Sequence, residues 1–448
     1  MTSRPCTRVL RFLLLAFALV SAVTAATFAA DEIHWTITGQ TSVTFDWRGT
    51  ASENTIRYGL SAGSYTNTGT AVNPTAPNIP FSSSGPFWEA RLTGLQEDTL
   101  YHYSVAGGAD HTFRTPPPRG STTGFTIYAE GDIENATTRP NMGIVQSLIS
   151  GAAFVIVPGD IAYGDSRGQA NVDRHFNDVM AWSQDLAYMP AWGNHEYQNP
   201  TNSCGLPCGQ TCSTQNCDDL RNYKGRFDFP NPQTSPGSPS VSCCGEDWYW
   251  FDYGNVRFIA YPEPFSGAWS DWNTRARALM DAAQADLAIT FIVTFGHRPA
   301  YSSGHHPGES AIENYMDALG AGHSKYVLNI NGHSHNYERT YPQSGVVHLT
   351  VGTGGNNLGQ DGSCLWLTCT QPSWSAFRAM YHGVARLSFT GTSIEGAFIC
   401  GPAGGGTNEI NGVRTTCTLG SVIDSFTIGT PSPDTTPPAP PQNLTVAQ

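Results

Sequence analysis

Five apolar runs in this chain close on residues that an apolar core cannot absorb: GDIEN at Asp132, GDIAY at Asp160 and Tyr163, GNHE at Asn194, FGHRP at His297, and NGHSH at His333 and His335. A buried polar group must find a partner, so a fold that carries these runs inward must also satisfy their ends. The runs alternate with helical patterns. FTIYAEGD reads as a strand, NMGIVQSLISG as a helix, AAFVIVPGD as a strand, NVDRHFNDVMAWSQDL as a helix and YMPAWGN as a strand. Further on come the hairpin WYWFDYGNVRFIAYPE, a helix near Asp271 to Asp286, the strand AITFIVTFGH, a helix near Ser310 to Leu319 and the strand YVLNINGHSH. That alternation predicts an α/β layered domain of the αββα type, with strands buried on both faces. Asp132, Asp160, Asn194, His297, His333 and His335 then fall at or just past the C-terminal ends of strands, where sites in α/β sheets form.

The chain of 448 residues is too long for one ordinary core. Between about Asp31 and Thr115 its pattern is different: IHWTITG, SVTFDWRG, NTIRYGL, FWEARLTGL, LYHYSVAGG and HTFRT are short alternating segments with turn residues between them. Strands at that density, with no helical stretch, predict a small antiparallel sandwich over residues 31–115. LTGLQEDTLYHYSV followed by TFRTPP resembles the end of a fibronectin type III-like domain. Pro116, Pro117 and Pro118 make a stiff boundary in a linker over 116–123, and the α/β domain follows over 124–429. Within it, residues 200–247 are rich in Cys, Pro, Gly, Ser and Asn without periodicity and are expected to form a Cys-rich, disulfide-held insertion beside the site. GVARLSFTGTSIEGAFI and SVIDSFTIG are the closing strands. Residues 430–448 begin as a Pro-rich linker and end on PPQNLTVAQ, which resembles the opening of a further fibronectin-type module.

Residues 1–30 read as a signal peptide: Arg4, Arg8 and Arg11 precede the apolar stretch Phe12 to Val23, and Ala25, Ala26, Ala29 and Ala30 offer small-residue cleavage sites. The mature chain is expected to be secreted. The apolar stretch is short for a membrane span and no other long apolar run exists, so no stable membrane insertion is expected. Residues 1–30 contain three Arg and no acid, so their removal takes the formal charge from −13 to −16. That acidity argues against nucleic acid and anionic membrane surfaces as partners. Ten of the 11 cysteines remain after Cys6 is removed, an even count that favours disulfides in an exported protein. Cys364 with Cys369 and Cys400 with Cys417 look like local pairs. Cys204, Cys208, Cys212, Cys217, Cys243 and Cys244 crowd one segment, for which a structural zinc cluster is the alternative.

Carboxylate, phenolate and imidazole together suit a hard trivalent ion such as iron(III), whereas an amide oxygen with two imidazoles suits divalent zinc, manganese or iron. Two metals about 3.5–4 Å apart, bridged by one Asp, clamp a phosphate and lower the pKa of a bound water. His333 and His335 are two apart, so in an extended segment both point to one side and reach neighbouring ions. Taken singly, Asp132 could cap the next helix, His297 could be a satisfied core histidine and Tyr163 could pack under a loop. Those readings do not explain why such residues all collect at strand ends.

GD, GDxxY, GNHE, an apolar strand ending in His, and GHxH, in this order behind a fibronectin-like domain, closely resemble the purple acid phosphatases of the calcineurin-like metallophosphoesterase superfamily. The resemblance covers nearly all of residues 31–428. It implies that Asp132, Asp160, Tyr163 and His335 hold iron(III), with the Tyr163 phenolate giving a purple colour. Asp160 would bridge to a divalent ion (Zn, Mn or Fe) held by Asn194, His297 and His333. The substrate-facing histidines match His195 in GNHE and the pair His305 and His306 in SSGHHPG, which arrives one residue earlier after His297 than in the plant enzymes, so the choice within the pair stays open. The family usually has Gly two residues after its first Asp, where this chain has Glu134. Asp165, Glu196, Tyr301, Tyr337 and Glu338 are candidates for orienting the ligands. His102, His111, His175, His323, His348 and His382 lie outside the motifs and are expected to be structural or exposed.

The expectation is a secreted binuclear metallohydrolase that cleaves small phosphate monoesters by metal-hydroxide attack, with His306 or His305 protonating the leaving alcohol. A phosphodiesterase on the same scaffold is one alternative, because the fold does not choose between them. A surface-binding protein with a vestigial phosphatase domain is the other.

Overall fold

The computed structural model describes residues 30–74, 85–134, 141, 144, 152–167, 169–197, 223–238, 245–358, 370–402 and 408–429. Residues 1–29 of the expected signal peptide, most of the NMGIVQSLISG helix, the six cysteines Cys204, Cys208, Cys212, Cys217, Cys243 and Cys244, Cys364 with Cys369, and the C-terminal PPQNLTVAQ lie outside those residues.

The first seven strands are β1 (Asp31–Gly39), β2 (Ser42–Arg48), β3 (Thr55–Gly59), β4 (Asn67–Thr70), β5 (Phe87–Leu92), β6 (Leu100–Val105) and β7 (His111–Arg114). They form two antiparallel sheets, ordered β1-β2-β5 and β4-β3-β6-β7. The sandwich closes on Trp35, Phe45, Tyr103 and Phe113, whose rings lie 4.6 to 6.0 Å apart at adjacent contacts. Strand β4 has the sequence NTGT and gives no apolar signal; its pairing with β3 holds it in place. In β1 both faces are buried, which the alternating sequence does not predict. Its polar face is covered by the second domain: His34 Nε2 lies 2.6 Å from Arg226 O, Thr36 Oγ1 donates to Asp228 O, and Ser183 Oγ donates to Ile33 O.

The second domain contains β8 (Phe125–Ala129), β9 (Ala152–Pro158), β10 (Ala187–Ala191), β11 (Trp250–Tyr253), β12 (Val256–Ala260), β13 (Phe291–Phe295), β14 (Tyr326–Asn331) and β15 (Tyr337–Thr340). After these come β16 (Val347–Val351), β17 (Ser375–Ala379), β18 (Gly383–Phe389), β19 (Ser393–Cys400), β20 (Glu409–Ile410), β21 (Val413–Arg414) and β22 (Val422–Gly429). The helices are α1 (Gly164–Arg167), α2 (Gln169–Ser183), α3 (Asn194–Tyr197), α4 (Ala268–Ala285) and α5 (Ser310–Gly322). One sheet runs β10-β9-β8-β18-β19-β22 and the other β11-β12-β13-β14-β16-β15-β17-β20-β21. Strands β8, β9 and β10 are parallel, as are β12, β13, β14 and β16. The sheets face each other through aromatic contacts: Phe154 of β9 meets Phe251 and Phe258 at 5.6 and 5.3 Å, and Phe125 meets Tyr253 at 4.7 Å. Truncating such a buried ring to Ala typically costs about 3–5 kcal/mol. Outside the second sheet, α4 docks through Trp272, whose Nε1 donates to Ala260 O.

Part of the stretch expected as an insertion is core. Tyr223, Phe227 and Phe229 are buried, and Arg226 beside them is only 2% exposed. Polar neighbours and a lack of period hid this segment, since irregular backbone that packs against two domains carries no repeating pattern. Cys400 and Cys417 form a disulfide as their spacing suggests, tying the end of β19 to the approach of β22. Among the described residues, no helix is long and apolar enough to cross a membrane.

Candidate metal centre

The C-terminal ends of β8, β9, β10, β13, β14 and β16 lead directly into the site. Leaving those strands, the backbone turns sharply: Asp132, Glu134, Asp160, Tyr163 and His333 all adopt positive φ, between 43° and 68°. Each such non-glycine conformation costs about 1–3 kcal/mol and survives only where the surroundings over-determine it. The motif glycines let these turns approach one another. A Cβ on Gly193 would collide with the Asp160 carboxylate, and Gly159, at φ 84°, sits against the His297 ring.

Four donors converge on one point. His297 Nε2 lies 3.1 Å from Asp160 Oδ2, 3.1 Å from Asn194 Oδ1 and 3.1 Å from His333 Nδ1. His297 Nδ1 donates to Pro158 O at 2.9 Å, so in the neutral ring Nε2 presents a lone pair. His297 Nε2, His333 Nδ1, the Asn194 amide oxygen and the Asp160 carboxylate therefore meet in a buried pocket. Asp160, His297 and His333 form the candidate metal-holding group among the described residues. Ligands about 2.1 Å from a shared cation sit roughly 3 Å apart, so this donor set fits a divalent metal. Burial disfavours a charged His297 ring, but Asp160 outweighs burial and raises its pKa to about 10. A metal ion would take the place of that proton.

On the other flank, His335 Nε2 is 3.3 Å from Asp132 Oδ1 and 3.2 Å from the Tyr163 hydroxyl. His335 Nδ1 donates to Asn357 O at 2.8 Å, which again directs the Nε2 lone pair inward. Asp132 Oδ2 accepts the His333 backbone N–H at 2.8 Å, and Asp160 Oδ1 accepts that of His195 at 2.9 Å. Asp132, Asp160, Tyr163 and His335 thus supply the oxygen-rich set that suits a harder ion. Burial pushes the Tyr163 hydroxyl well above its ordinary pKa, and the charges of Asp160 and Asp132 push it further. Only a cation beside it would make that oxygen an anion at working pH.

The remaining expected residues divide. His195 donates from Nδ1 to Asp165 at 2.8 Å and packs its ring on Tyr163 at 4.3 Å. His306 stacks on His333 at 4.1 Å, with His305 4.1 Å beyond it and 6.4 Å from His335, so both lie over the site. Glu196 is fully buried and accepts the N–H groups of Asp160, Ile161 and Gly193 at 2.7 to 2.8 Å, binding two site loops together. Glu338 accepts from Ser303 N, Ser303 Oγ and Ser375 Oγ at 2.6 to 2.7 Å and so anchors the loop that carries His305 and His306. Tyr301 and Tyr337 do not orient ligands: their hydroxyls donate to Asp317 and Asp424, neither of which is a candidate ligand. His175, His323, His348 and His382 are buried, and His102 and His111 pair with Asp110 and Asp185.

Sequence reading missed the loop after β16. Asn356 N donates to Asp132 O, the Asn356 side chain hydrogen-bonds Tyr163, and Asn357 O holds His335. The run VHLTVGTGGNN was the available signal, an apolar strand ending in small and amide residues like the other motif strands. Arg298 was missed too; pinned by Glu263 and Glu309 at 2.9 Å each, it reaches within 3.3 Å of His333 Nε2.

Residues 30–123 match the family described as purple acid phosphatase, N-terminal domain, and residues 345–405 the one described as iron/zinc purple acid phosphatase-like protein C. The chain is similar to purple acid phosphatase 18 of Arabidopsis thaliana, 23% identical over 382 residues that cover 81% of this chain and 79% of the relative. It is 24% identical over 375 residues to purple acid phosphatase 22 of the same plant, covering 80% of this chain and 78% of that one. Its fold is similar to that of a purple acid phosphatase from yellow lupin (Lupinus luteus) seeds, with TM-score 0.66 over 90% of this chain and 74% of that one, at 17% identity.

Proposed function

Because this chain belongs to the purple acid phosphatase family and is a purple acid phosphatase-like metallophosphoesterase, we propose that it is a secreted acid phosphatase that cleaves small phosphate monoesters. The observation that carries the reading is the convergence of Asp160, Asn194 and His333 on His297 Nε2, each at 3.1 Å. Two imidazole nitrogens, an amide oxygen and a carboxylate gathered around one point in a buried pocket are a donor set suited to a divalent cation.

In this reading Asn194, His297 and His333 would hold a divalent ion (Zn, Mn or Fe), Asp132, Tyr163 and His335 would hold iron(III), and Asp160 would serve both. The pair of ions, when bound, neutralises the phosphate charge and activates water. The chain's own residues do the rest. Pro158 O and Asn357 O fix the tautomers of His297 and His335, so the rings need no reorganisation. Glu196 clamps the backbone of the Asp160 and Asn194 loops. Asp165 orients His195, and Glu338 with Ser303 holds His305 and His306 over the site, where these rings bind the phosphate oxygens and protonate the leaving alcohol. The N-terminal leader supports export, and the Cys400–Cys417 disulfide fits an oxidising compartment.

The test is turnover of nitrophenyl phosphate, an alkyl phosphate and a nitrophenyl diester across pH, with metal content and the visible spectrum measured on the same protein. Expected are iron and one divalent metal per chain, a broad visible band lost in Tyr163→Phe, and fastest cleavage of monoesters at acidic pH. Faster diester cleavage would make the protein a phosphodiesterase. A metal-loaded protein that turns over neither would be a binding module.

A further inference from the structure

The loop after β16 supplies none of the candidate ligands, yet three of its backbone groups hold the Tyr163 flank. Gly354 N donates to Gly131 O at 2.8 Å, Asn356 N donates to Asp132 O at 2.9 Å, and Asn357 O accepts from His335 Nδ1 at 2.8 Å. The last of these is the vulnerable one, because Asn357 is exposed and a carbonyl at the rim is free to turn toward water. Its support comes from behind. His382 lies in the short connection between β17 and β18, where the chain crosses from one sheet to the other, and it is buried. Its Nε2 donates to Asn356 O at 2.9 Å, since a carbonyl can only accept. The ring stands on a fixed base: Gly401 N donates to His382 O at 2.7 Å, and Gly383 exchanges two hydrogen bonds with Thr353, at 2.8 and 3.2 Å.

Asn356 O belongs to the rigid peptide plane that joins Asn356 to Asn357. That plane stands between the two groups of the loop that touch candidate ligands, the Asn356 N–H on Asp132 and the Asn357 carbonyl on His335. We propose that His382 is a positioning residue for the Tyr163-flank ion site. By fixing the plane it keeps Asn357 O on His335 Nδ1, so that His335 Nε2 stays directed at Asp132 and Tyr163, 3.3 and 3.2 Å away. The inference rests on the two-metal reading above. On the divalent flank the corresponding acceptor is Pro158 O, which ends strand β9 and is held by the sheet. His335 has no strand behind its acceptor, and His382 takes that part. The effect of His382 should therefore be confined to one of the two ions.

The experiment is timed chelator dialysis of the full, metal-loaded chain, with iron and divalent metal counted separately and the visible band followed. His382→Phe keeps a ring and removes the donor; it should lose iron about tenfold faster than wild type, with the divalent ion retained and the band shifted. His382→Gln returns an amide N–H to the place of Nε2 and should restore both the retention and the band. Should His382→Phe fail to fold, His382→Asn, whose amide is one carbon shorter, takes its place against His382→Gln. Wild-type iron kinetics and an unmoved band in the variant that lacks the donor would overturn the inference while leaving the two-metal reading standing. Equal loss of both ions, or a Gln variant as impaired as the Phe variant, would overturn it as well. A wild-type chain that takes up no trivalent ion would overturn that reading and this inference together.

Discussion

Two buried polar clusters divide this molecule, and they are satisfied in opposite ways. At the seam between the domains, Glu32 pairs with Arg226 and, at 3.1 Å, with Arg48, while Arg48 also holds Asp31 at 2.5 Å and Arg226 reaches Asp173 at 3.3 Å. The Arg226 guanidinium further stacks on Phe87 and Phe176 at 4.5 and 4.7 Å. Here cation and anion both come from the chain. At the strand ends, carboxylates, a phenol and imidazoles face one another, and among the described residues Arg298 stands only at their edge, 3.3 Å from His333 Nε2. A cluster closed by its own side chains serves the fold, whereas a cluster closed only by an external cation serves chemistry.

The largest expected effect separates the two outright. Asp160→Asn removes the shared donor; it should abolish binding of both ions, and loss of several kcal/mol of electrostatic stabilisation predicts turnover lower by on the order of 10⁴-fold. Atomic absorption and steady-state rates check it, and a variant that retains both metals would break the contrast. The seam should respond the other way. Arg226→Ala leaves buried Glu32 with Arg48 as its remaining partner and strips Asp173 of its Arg226 contact, and should destabilise the chain by about 3 kcal/mol in urea unfolding, with the rate per folded molecule unchanged.

Acidity sharpens the comparison further. Burial raises Glu32 to about 7 from its ordinary 4.5, with Arg226 and Arg48 pulling it back only in part. Burial also raises Asp46 and Glu246 nearby. A group whose folded pKa is raised gives stability that is full below its unfolded value and is lost as pH rises through the folded one. Glu32 therefore predicts a loss of at most about 3 kcal/mol between pH 4.5 and 7, read as a falling urea midpoint, and Glu32→Gln should flatten that slope. A midpoint that rises over this window would contradict the burial of the seam carboxyls. The smallest effect belongs to the loop after β16: Asn356→Ala removes a support of Tyr163 and should weaken iron binding by about 10- to 100-fold, with the divalent ion and the seam untouched.

The strand ends were legible because a strand buried on both faces leaves a nearly continuous apolar run, and a polar residue that ends such a run stands out. Asp132, Asp160, Tyr163, Asn194, His297, His333 and His335 were all found that way, and the fold brings them together. The seam was invisible for the same reason. His34, Thr36 and Thr38 alternate with apolar residues like the solvent face of any sandwich strand, and Arg226 sits in a stretch with no period. Tyr301 and Tyr337 misled because sequence distance from a motif does not tell which way a side chain leaves the backbone.

Sequence alone therefore determined the α/β layering, the sandwich ahead of it and which polar residues end the buried strands, since these follow from local periodicity and residue chemistry. Tertiary structure decided which of these side chains meet, how the imidazole tautomers are set by Pro158 O and Asn357 O, and how the two domains lock. Each of these depends on contacts between segments far apart in the chain, and such contacts leave no periodic trace in any one of the segments that make them.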